Sequence, residues 1–437
     1  MYIAYLKVQI LLLLFLLSGC RQNNMDETGG IAVIDVVPLL GKYQQIPVSE
    51  IISGLEYIPL ETSDDCLIGG MNNIIVTPVH IFVAGGAGFG QGFCYVFDRN
   101  GRFIRQIGRT GQGPGEYTTI MGLSIDKQKE SLYLQTIGNR LLEYSFDGIL
   151  RQSISLKTMS DGRIQEVYAL QENLFIGHVP NDTGNELYNF VLFNDSGQVI
   201  KSFENHIKFN RVKSISSSFD SSIMPYKVSG NIYVKEFTND TIYCLNEQKE
   251  LIPEFVFNLG KYGFPKQLKE EFLGANASAM LKDVLIIPSK AEPMVGAPNY
   301  IFFSLWGHSV SFPLPKGRVR NIALPFGQRG DVELSTPLGI YDIAAKTTRL
   351  LDTDPFSGYS GLINDLDGGL SFWPRSYTDE NELVGVWMAE DMKSILTEAY
   401  FASREIKNPQ AHQKLKELLK NLDWEDNPII VIAKLKP

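Results

Sequence analysis

Apolar and polar residues trade places every second position over short runs, and turn residues separate the runs. Residues 121–126 alternate in this way, and strand-like runs at 131–136, 140–146 and 150–154 follow in succession. Period-two patterning predicts half-buried strands. One unit recurs: an aromatic-rich strand, an acidic or amide turn residue, a short turn, then another strand. It occurs at 95–104, 142–150, 190–199, 241–247, 338–342 and 384–391. The turn residues Asp98, Asp147, Asp195, Asn246, Asp342 and Asp391 are 49, 48, 51, 96 and 49 residues apart. Asp and Asn suit such turns because their short side chains bond nearby backbone amides, and a following Gly accepts positive φ. A pitch near fifty residues with about four strands per unit is that of a β-propeller blade.

The pattern predicts an all-β chain: a six-bladed β-propeller over residues 31–437 with a short C-terminal helix. The blades fall near 63–108, 117–157, 163–206, 219–260, 281–352 and 360–400. The double interval between Asn246 and Asp342 has two explanations, an insertion in the fifth blade or a seventh blade. A short helix within 264–275 and the Pro/Gly-containing stretch 311–334 favour the insertion. A closing helix and strand occupy 405–437. In the helix, Leu415, Leu418, Leu419 and Leu422 make one apolar stripe at i, i+3, i+4 and i+7. The strands predicted at 51–60 and 428–435 are candidates for completing the last blade from opposite ends of the chain.

Ahead of this domain, an apolar segment from Val8 to Leu17 follows Lys7 and ends in Leu17-Ser18-Gly19-Cys20. It is too short for a stable bilayer span and reads as a secretory signal. Its end resembles the lipobox of bacterial lipoproteins. That resemblance implies removal of residues 1–19 and lipidation at Cys20, with 20–30 as a flexible tether to the membrane. An ordinary secretion signal with a chance cysteine is the competing reading. Arg21 follows Cys20, so the common inner-membrane retention signal is missing. Asp26 and Glu27 form a small acidic cluster nearby. The expected location is the cell envelope, at the outer membrane, facing periplasm or surface.

Composition narrows the function classes. The 49 acidic and 40 basic side chains give a net charge of −9, which speaks against broad nucleic-acid binding. The odd set Cys66, Cys94 and Cys244 provides no disulfide framework. Cys94 and Cys244 read as buried strand residues, and Cys66, after Asp64-Asp65, as a turn residue open to exposure. The five histidines lack ligand spacing, so zinc is not expected.

The whole pattern resembles the six-bladed, NHL-like propeller lipoproteins of Bacteroidales. The residues that carry the resemblance are 51–62 (IISGLEYIPLET), 108–117 (GRTGQGPGEY), 364–374 (NDLDGGLSFWP) and 427–434 (NPIIVIAK). It spans 31–437 and implies the fold rather than an activity.

Three segments offer candidate chemistry. The Gly-rich loop at 108–117 lacks the following helix and the Lys-Ser/Thr of a phosphate loop, so it reads as an inter-blade connection. Its Arg109 and Glu116 remain ligand-binding candidates. Asn364-Asp365-Leu366-Asp367-Gly368-Gly369 resembles the start of a calcium loop but lacks a third ligand position and a distal Glu. Asp365 and Asp367 are the metal candidates, with a capped turn as the alternative. Trp373 and Arg375 could stack on a sugar or peptide, or pack between blades. His80, His178, His206 and His308 read as solitary structural residues, and Gly-x-Ser-x-Gly is absent.

The expected protein is a monomeric, membrane-anchored binding module for a glycan, peptide or envelope partner, with no cofactor. The alternative is a lactonase-like hydrolase or lyase with a divalent metal in the channel.

Overall fold

The structure is a computed structural model. It describes residues 30–86, 90–157, 163–170, 173–209, 226–228, 230–236, 239–263, 285–288, 294–308, 318–323, 329–334 and 336–436. The signal, Cys20, Arg21, the acidic pair and the helix predicted within 264–275 lie outside the described residues. The chain divides into two units, 1–32 and 33–437, and the second carries the fold.

Two strands precede the repeats: β1 (Ala32–Asp35) and β2 (Ile52–Pro59), with α1 (Val48–Ile51) between them. Blade one is β3 (Met71–Val76), β4 (His80–Gly85), β5 (Phe93–Asp98) and β6 (Phe103–Gln106). A parallel pair, β7 (Arg109–Thr110) and β8 (Glu116–Tyr117), lies in the following connection. Blade two is β9 (Ile120–Asp126), β10 (Ser131–Thr136), β11 (Arg140–Ser145) and β12 (Leu150–Ser155). Blade three is β13 (Glu166–Ala169), β14 (Leu174–His178), β15 (Tyr188–Asn194) and β16 (Val199–Glu204). Blade four is β17 (Tyr226–Val228), β18 (Asn231–Val234), β19 (Thr241–Leu245) and β20 (Leu251–Asn258). Within the second unit, Val36 N donates to Asn258 O at its outer edge (3.3 Å).

Blade five holds β21 (Leu285–Pro288), β22 (Val295–Ala297), β23 (Tyr300–His308), β26 (Leu338–Asp342) and β27 (Thr347–Leu351). Between β23 and β26 the chain makes a separate hairpin, β24 (Arg318–Ala323) and β25 (Arg329–Leu334). Blade six is β28 (Ser376–Tyr377), β29 (Glu382–Trp387), β30 (Ile429–Leu435) and, last, β2. Each blade is an antiparallel meander from an inner to an outer strand, so the fold is a six-bladed propeller.

The hairpin joining the third and fourth strands repeats nearly atom for atom. Asp98, Ser145, Asn194 and Asn246 each donate their amide to the carbonyl four residues on and accept an amide from three residues on. A side-chain oxygen of each also accepts from the amide four residues on. The residue at the bulge has positive φ: Gly101, Gly148, Gly197 and Lys249. The anchors in blades two and three are therefore Ser145 and Asn194, not Asp147 and Asp195. The sequence pattern registered on the acidic residue rather than on the side chain that closes the turn. In the sixth unit a second correction applies. Asp391 lies in α2 (Ala389–Ile395), because β29 runs into helix rather than a hairpin. Next come α3 (Glu398–Ala402) and α4 (Pro409–Asn421); Leu415 and Leu422 of the predicted stripe are buried.

Blades hold one another through apolar clusters between facing sheets. Phe82 and Val96 of blade one meet Leu132 and Leu142 of blade two. Tyr133 and Leu141 meet Phe175 and Val191. Ile176 and Leu192 meet Val234. Between blades four and five, Phe257 packs edge-on against Phe303 at 5.1 Å. Phe302 and Ile340 meet Phe372 and Val431, and Val384 and Ile430 meet Ile81 and Phe97, which completes the circuit.

Closure depends on β2 lying antiparallel on β30, with Tyr57 opposite Val431 and Glu56 opposite Ile432. Asn427, just before β30, ties down the chain leaving β2. Its Nδ2 donates to Glu61 O (2.6 Å) and Cys66 O (2.9 Å), and its Oδ1 accepts from Ile68 N (2.9 Å). Tyr57 OH donates to Asp367 Oδ1 (3.1 Å), which also accepts from Asn364 Nδ2 (2.7 Å) and Gly369 N (2.9 Å). A Cβ at Gly369 would stand 2.4 Å from the Tyr57 oxygen, so glycine is required there.

The meander also sorts the connections by length. First-to-second and third-to-fourth strand links are tight, as at 77–79, 127–130, 146–149 and 298–299. Second-to-third links and those between blades emerge at the opposite end. They include 60–70, 107–119, 179–187, 352–375 and the helical segment between β29 and β30. One face of the disc therefore carries the long connections.

Asn427→Ala strands two carbonyls and an amide at the closing joint. At about 1–3 kcal/mol for a buried unpaired group, the variant should lose on the order of 3 kcal/mol, read as a lower urea midpoint.

Candidate ligand-binding cleft

On the face with the long connections, a cleft of about 520 Å³ opens where the ring closes. Blade six and its preceding connection contribute Trp373, Arg375 and Trp387, the incoming chain of blade one contributes 68–71, and the approach to β26 contributes Thr336 and Leu338. Tyr359, Ser360 and Ser371 come from the connection between blades five and six, and Met388 and Asp391 from the start of the helical segment. The volume is within the range of small-ligand sites.

One stretch serves both core and cleft. Phe372 is fully buried in the joint between blades five and six. Its neighbour Trp373 is half-buried against the same cluster, meets Phe302 edge-on at 5.6 Å and lines the cleft. Trp387, at the half-buried end of β29, meets Tyr359 edge-on at 4.7 Å. Met388 follows it and is 46% exposed. Each edge-on contact fixes the angle between its two rings.

The wall carrying Gly358, Tyr359 and Ser360 is pinned from behind by Asp354, which is 0% exposed. Asp354 pairs with the Arg404 guanidinium and accepts from Ser357 Oγ (2.6 Å), Tyr400 OH (3.3 Å) and Ser371 Oγ (3.4 Å). Arg404 stacks over the rings of Tyr400 (4.3 Å) and Phe356 (5.0 Å). This buried pair joins the inter-blade connection to α3. Its carboxylate has enough partners to offset the cost of burial.

The structure brings Trp373 and Arg375 together at the cleft. The other sequence candidates lie elsewhere. Arg109 Nε donates to Glu116 Oε1 (2.6 Å), and Gly113 N donates to Glu116 Oε2 (2.8 Å). The Gly113 amide and then Arg109 hold the Glu116 carboxyl below its usual range. Glu116 thus shapes its own Gly-rich loop, and neither residue lines the cleft.

Asp365 and Asp367 serve separate networks. Asp365 accepts from Ser49 N (2.9 Å) and Ser49 Oγ (2.5 Å) and pairs with Lys407 Nζ (2.7 Å). Burial pushes its carboxyl up, but the bonds from Lys407 and Ser49 outweigh this and hold it low. Burial dominates at Asp367 and raises it. A lysine ammonium thus sits on one carboxylate, and Tyr57 and Asn364 on the other. Among the described residues, no group of three or more His, Cys, Asp or Glu could hold a metal. Ser49 Oγ lies 3.0 Å from Lys407 Nζ, yet Asp365 raises that lysine. Lys407 stays charged and donates, so the trio staples α1 to the inter-blade connection rather than activating the hydroxyl.

Cys66 corrects an expectation: it is fully buried, and its thiol donates to Glu61 O (3.1 Å). Asn427 holds the same turn inward. Cys94 is buried as predicted, whereas Cys244 is only half-buried. His178 is a buried structural residue with an unusual environment. It is 0% exposed at the end of β14, beside Phe190, with neither ring nitrogen hydrogen-bonded. Burial pushes its imidazole down to about 4; Glu236 and Asp182 pull up and Arg163 pulls down.

These features define a propeller with one elaborated face and an aromatic-lined cleft at its seam. The chain belongs to the family described as "Domain of unknown function (DUF4934)", whose model matches residues 31–434. Among solved structures it is similar to an exported protein of Bacteroides fragilis NCTC 9343. They share 18% identity over 93% of this chain and all of the other, with a TM-score of 0.67. A member of the DUF4221 family from Bacteroides vulgatus ATCC 8482 is 10% identical over 88% and 97% of the two chains, with a TM-score of 0.45. No curated protein matches. The likeness to the exported protein is one of fold.

Two outcomes follow. Asp354→Ala leaves Arg404 buried without its carboxylate and should cost about 3–5 kcal/mol, measured by chemical denaturation. For His178, the folded value near 4 lies below the unfolded value near 6.5, so the unfolded chain takes the proton first. Its contribution is intact above about pH 6.5 and is lost as pH falls toward 4, by on the order of 3 kcal/mol. Thermal melts across that window should fall more steeply for the native chain than for His178→Leu.

Proposed function

We propose that this protein is a lipid-anchored binding module of the cell envelope. Its long-loop face presents the seam cleft to a glycan, a peptide or a partner protein. The observation that carries the reading is the cleft itself: Trp373, Trp387, Tyr359 and Arg375 converge on a rigid wall fixed by the Asp354–Arg404 pair. A concave site with several aromatic rings and a few placed polar groups is suited to selective binding.

The anchor rests on Leu17-Ser18-Gly19-Cys20. Acyl chains on Cys20, followed by the tether to residue 30, would hold the domain at the outer membrane. Among the described residues, no helix is long and apolar enough to cross a membrane. In this reading the molecule acts as a monomer, with no cofactor.

Two measurements test the proposal. Metabolic labelling with a radioactive fatty acid should mark the native chain and leave Cys20→Ala unmarked. Screening the domain from residue 31 onward by tryptophan fluorescence against glycan and peptide libraries should give a ligand whose affinity falls about tenfold in Trp387→Ala. Libraries without any Trp387-dependent ligand would overturn the binding role.

A further inference from the structure

We infer that the seam cleft takes a neutral saccharide, a deduction that rests on the binding reading above and narrows its ligand class. The argument is chemical. Ligand classes differ in what their surfaces require, and the cleft wall matches one of them.

An acyl or other hydrocarbon ligand needs a continuous apolar wall. Here the aromatic rings share the lining with Ser360, Thr336 and Arg375. A phosphate-rich or polyuronate ligand needs several cations or an amide cradle. Among the described lining residues the cleft has one cation, Arg375, and a carboxylate, Asp391. An extended peptide would add to a free strand edge, but β28 is two residues long, with its neighbour β29 paired on both sides.

A saccharide ring has an apolar C–H face and an equatorial belt of hydroxyls. The first stacks on an indole, and the second exchanges hydrogen bonds with hydroxyls, a guanidinium and a carboxylate. Trp387 supplies the platform: it is half-buried, its angle is set by Tyr359, and exposed Met388 follows at the rim. Trp373, fixed by Phe302, lines the same wall as Arg375. The 520 Å³ volume leaves room for more than one sugar ring.

The test uses calorimetry and tryptophan fluorescence with neutral α- and β-linked hexose and pentose oligosaccharides, their uronic-acid counterparts, and a random peptide library. At least one neutral oligosaccharide should bind, with about tenfold loss in Trp387→Ala. Trp387→Phe should restore most of that loss, and Arg375→Gln should weaken binding to a smaller degree. Trp424→Ala, at an exposed indole outside the cleft, should leave affinity unchanged. Melting temperatures identify any variant that fails through folding; Trp387→Phe then decides. Peptides that bind in a Trp387-dependent way while all saccharides fail would overturn the saccharide assignment and leave the binding role intact. Preference for the uronic acids, or neutral saccharide binding indifferent to Trp387, would also overturn it. Failure of every library would remove both readings.

Discussion

The fold depends on one pairing made between residues nearly four hundred positions apart. A meander of blades has two free ends, and an open stack would leave unsatisfied strand edges and uncovered apolar faces. Laying β2 on β30 gives blade six its fourth strand, and the completed sheet covers the apolar faces of blades five and one. Blade six is then assembled from both ends of the domain, which makes ring formation an all-or-none event and its contacts strongly non-local. The buried polar groups of Tyr57, Asn364, Asp367 and Asn427 gather at this joint. Each is supplied with partners from chain segments that meet only after closure. Polar groups placed so specify one register, because a slipped strand would leave several of them unpaired in the interior.

The same closure locates the cleft. Blades two to four join their neighbours through one continuous chain, whereas blade six must admit a returning strand and its approach. The chain between β29 and β30 has room to form three helices, and the connection from blade five is correspondingly long. Two long segments leaning toward one another leave a gap, and Asp354 with Arg404 fixes its width. Binding surface is thus a by-product of how the ring is sealed, sited where the repeat is least regular.

Elsewhere the repeat imposes sameness. Four blades reuse a single hairpin with its side-chain acceptor and positive-φ residue, and the apolar clusters recur between neighbouring sheets. His178 departs from that regularity, a polar ring set among apolar neighbours where blades three and four meet. Burial among these neighbours favours its neutral form over its charged one.

Local pattern was enough to read strand period, turn chemistry, the pitch of the blades and the amphipathic helix, because these follow from neighbouring residues. The family motifs were legible as strings, but not their purpose. Asp365 and Asp367 share a loop in sequence, and it takes the folded chain to bring Lys407 to one and Tyr57 to the other. Trp387 looked like one more strand aromatic, and only the arrival of Tyr359, Trp373 and Arg375 made it part of a cleft. Asn427 gave no local signal, since its partners lie more than three hundred and fifty residues upstream. The amino-acid sequence determined the disc, because period and pitch are local properties. Tertiary structure decided which polar residues seal the ring and which face a ligand, because those roles belong to groups that only folding makes neighbours.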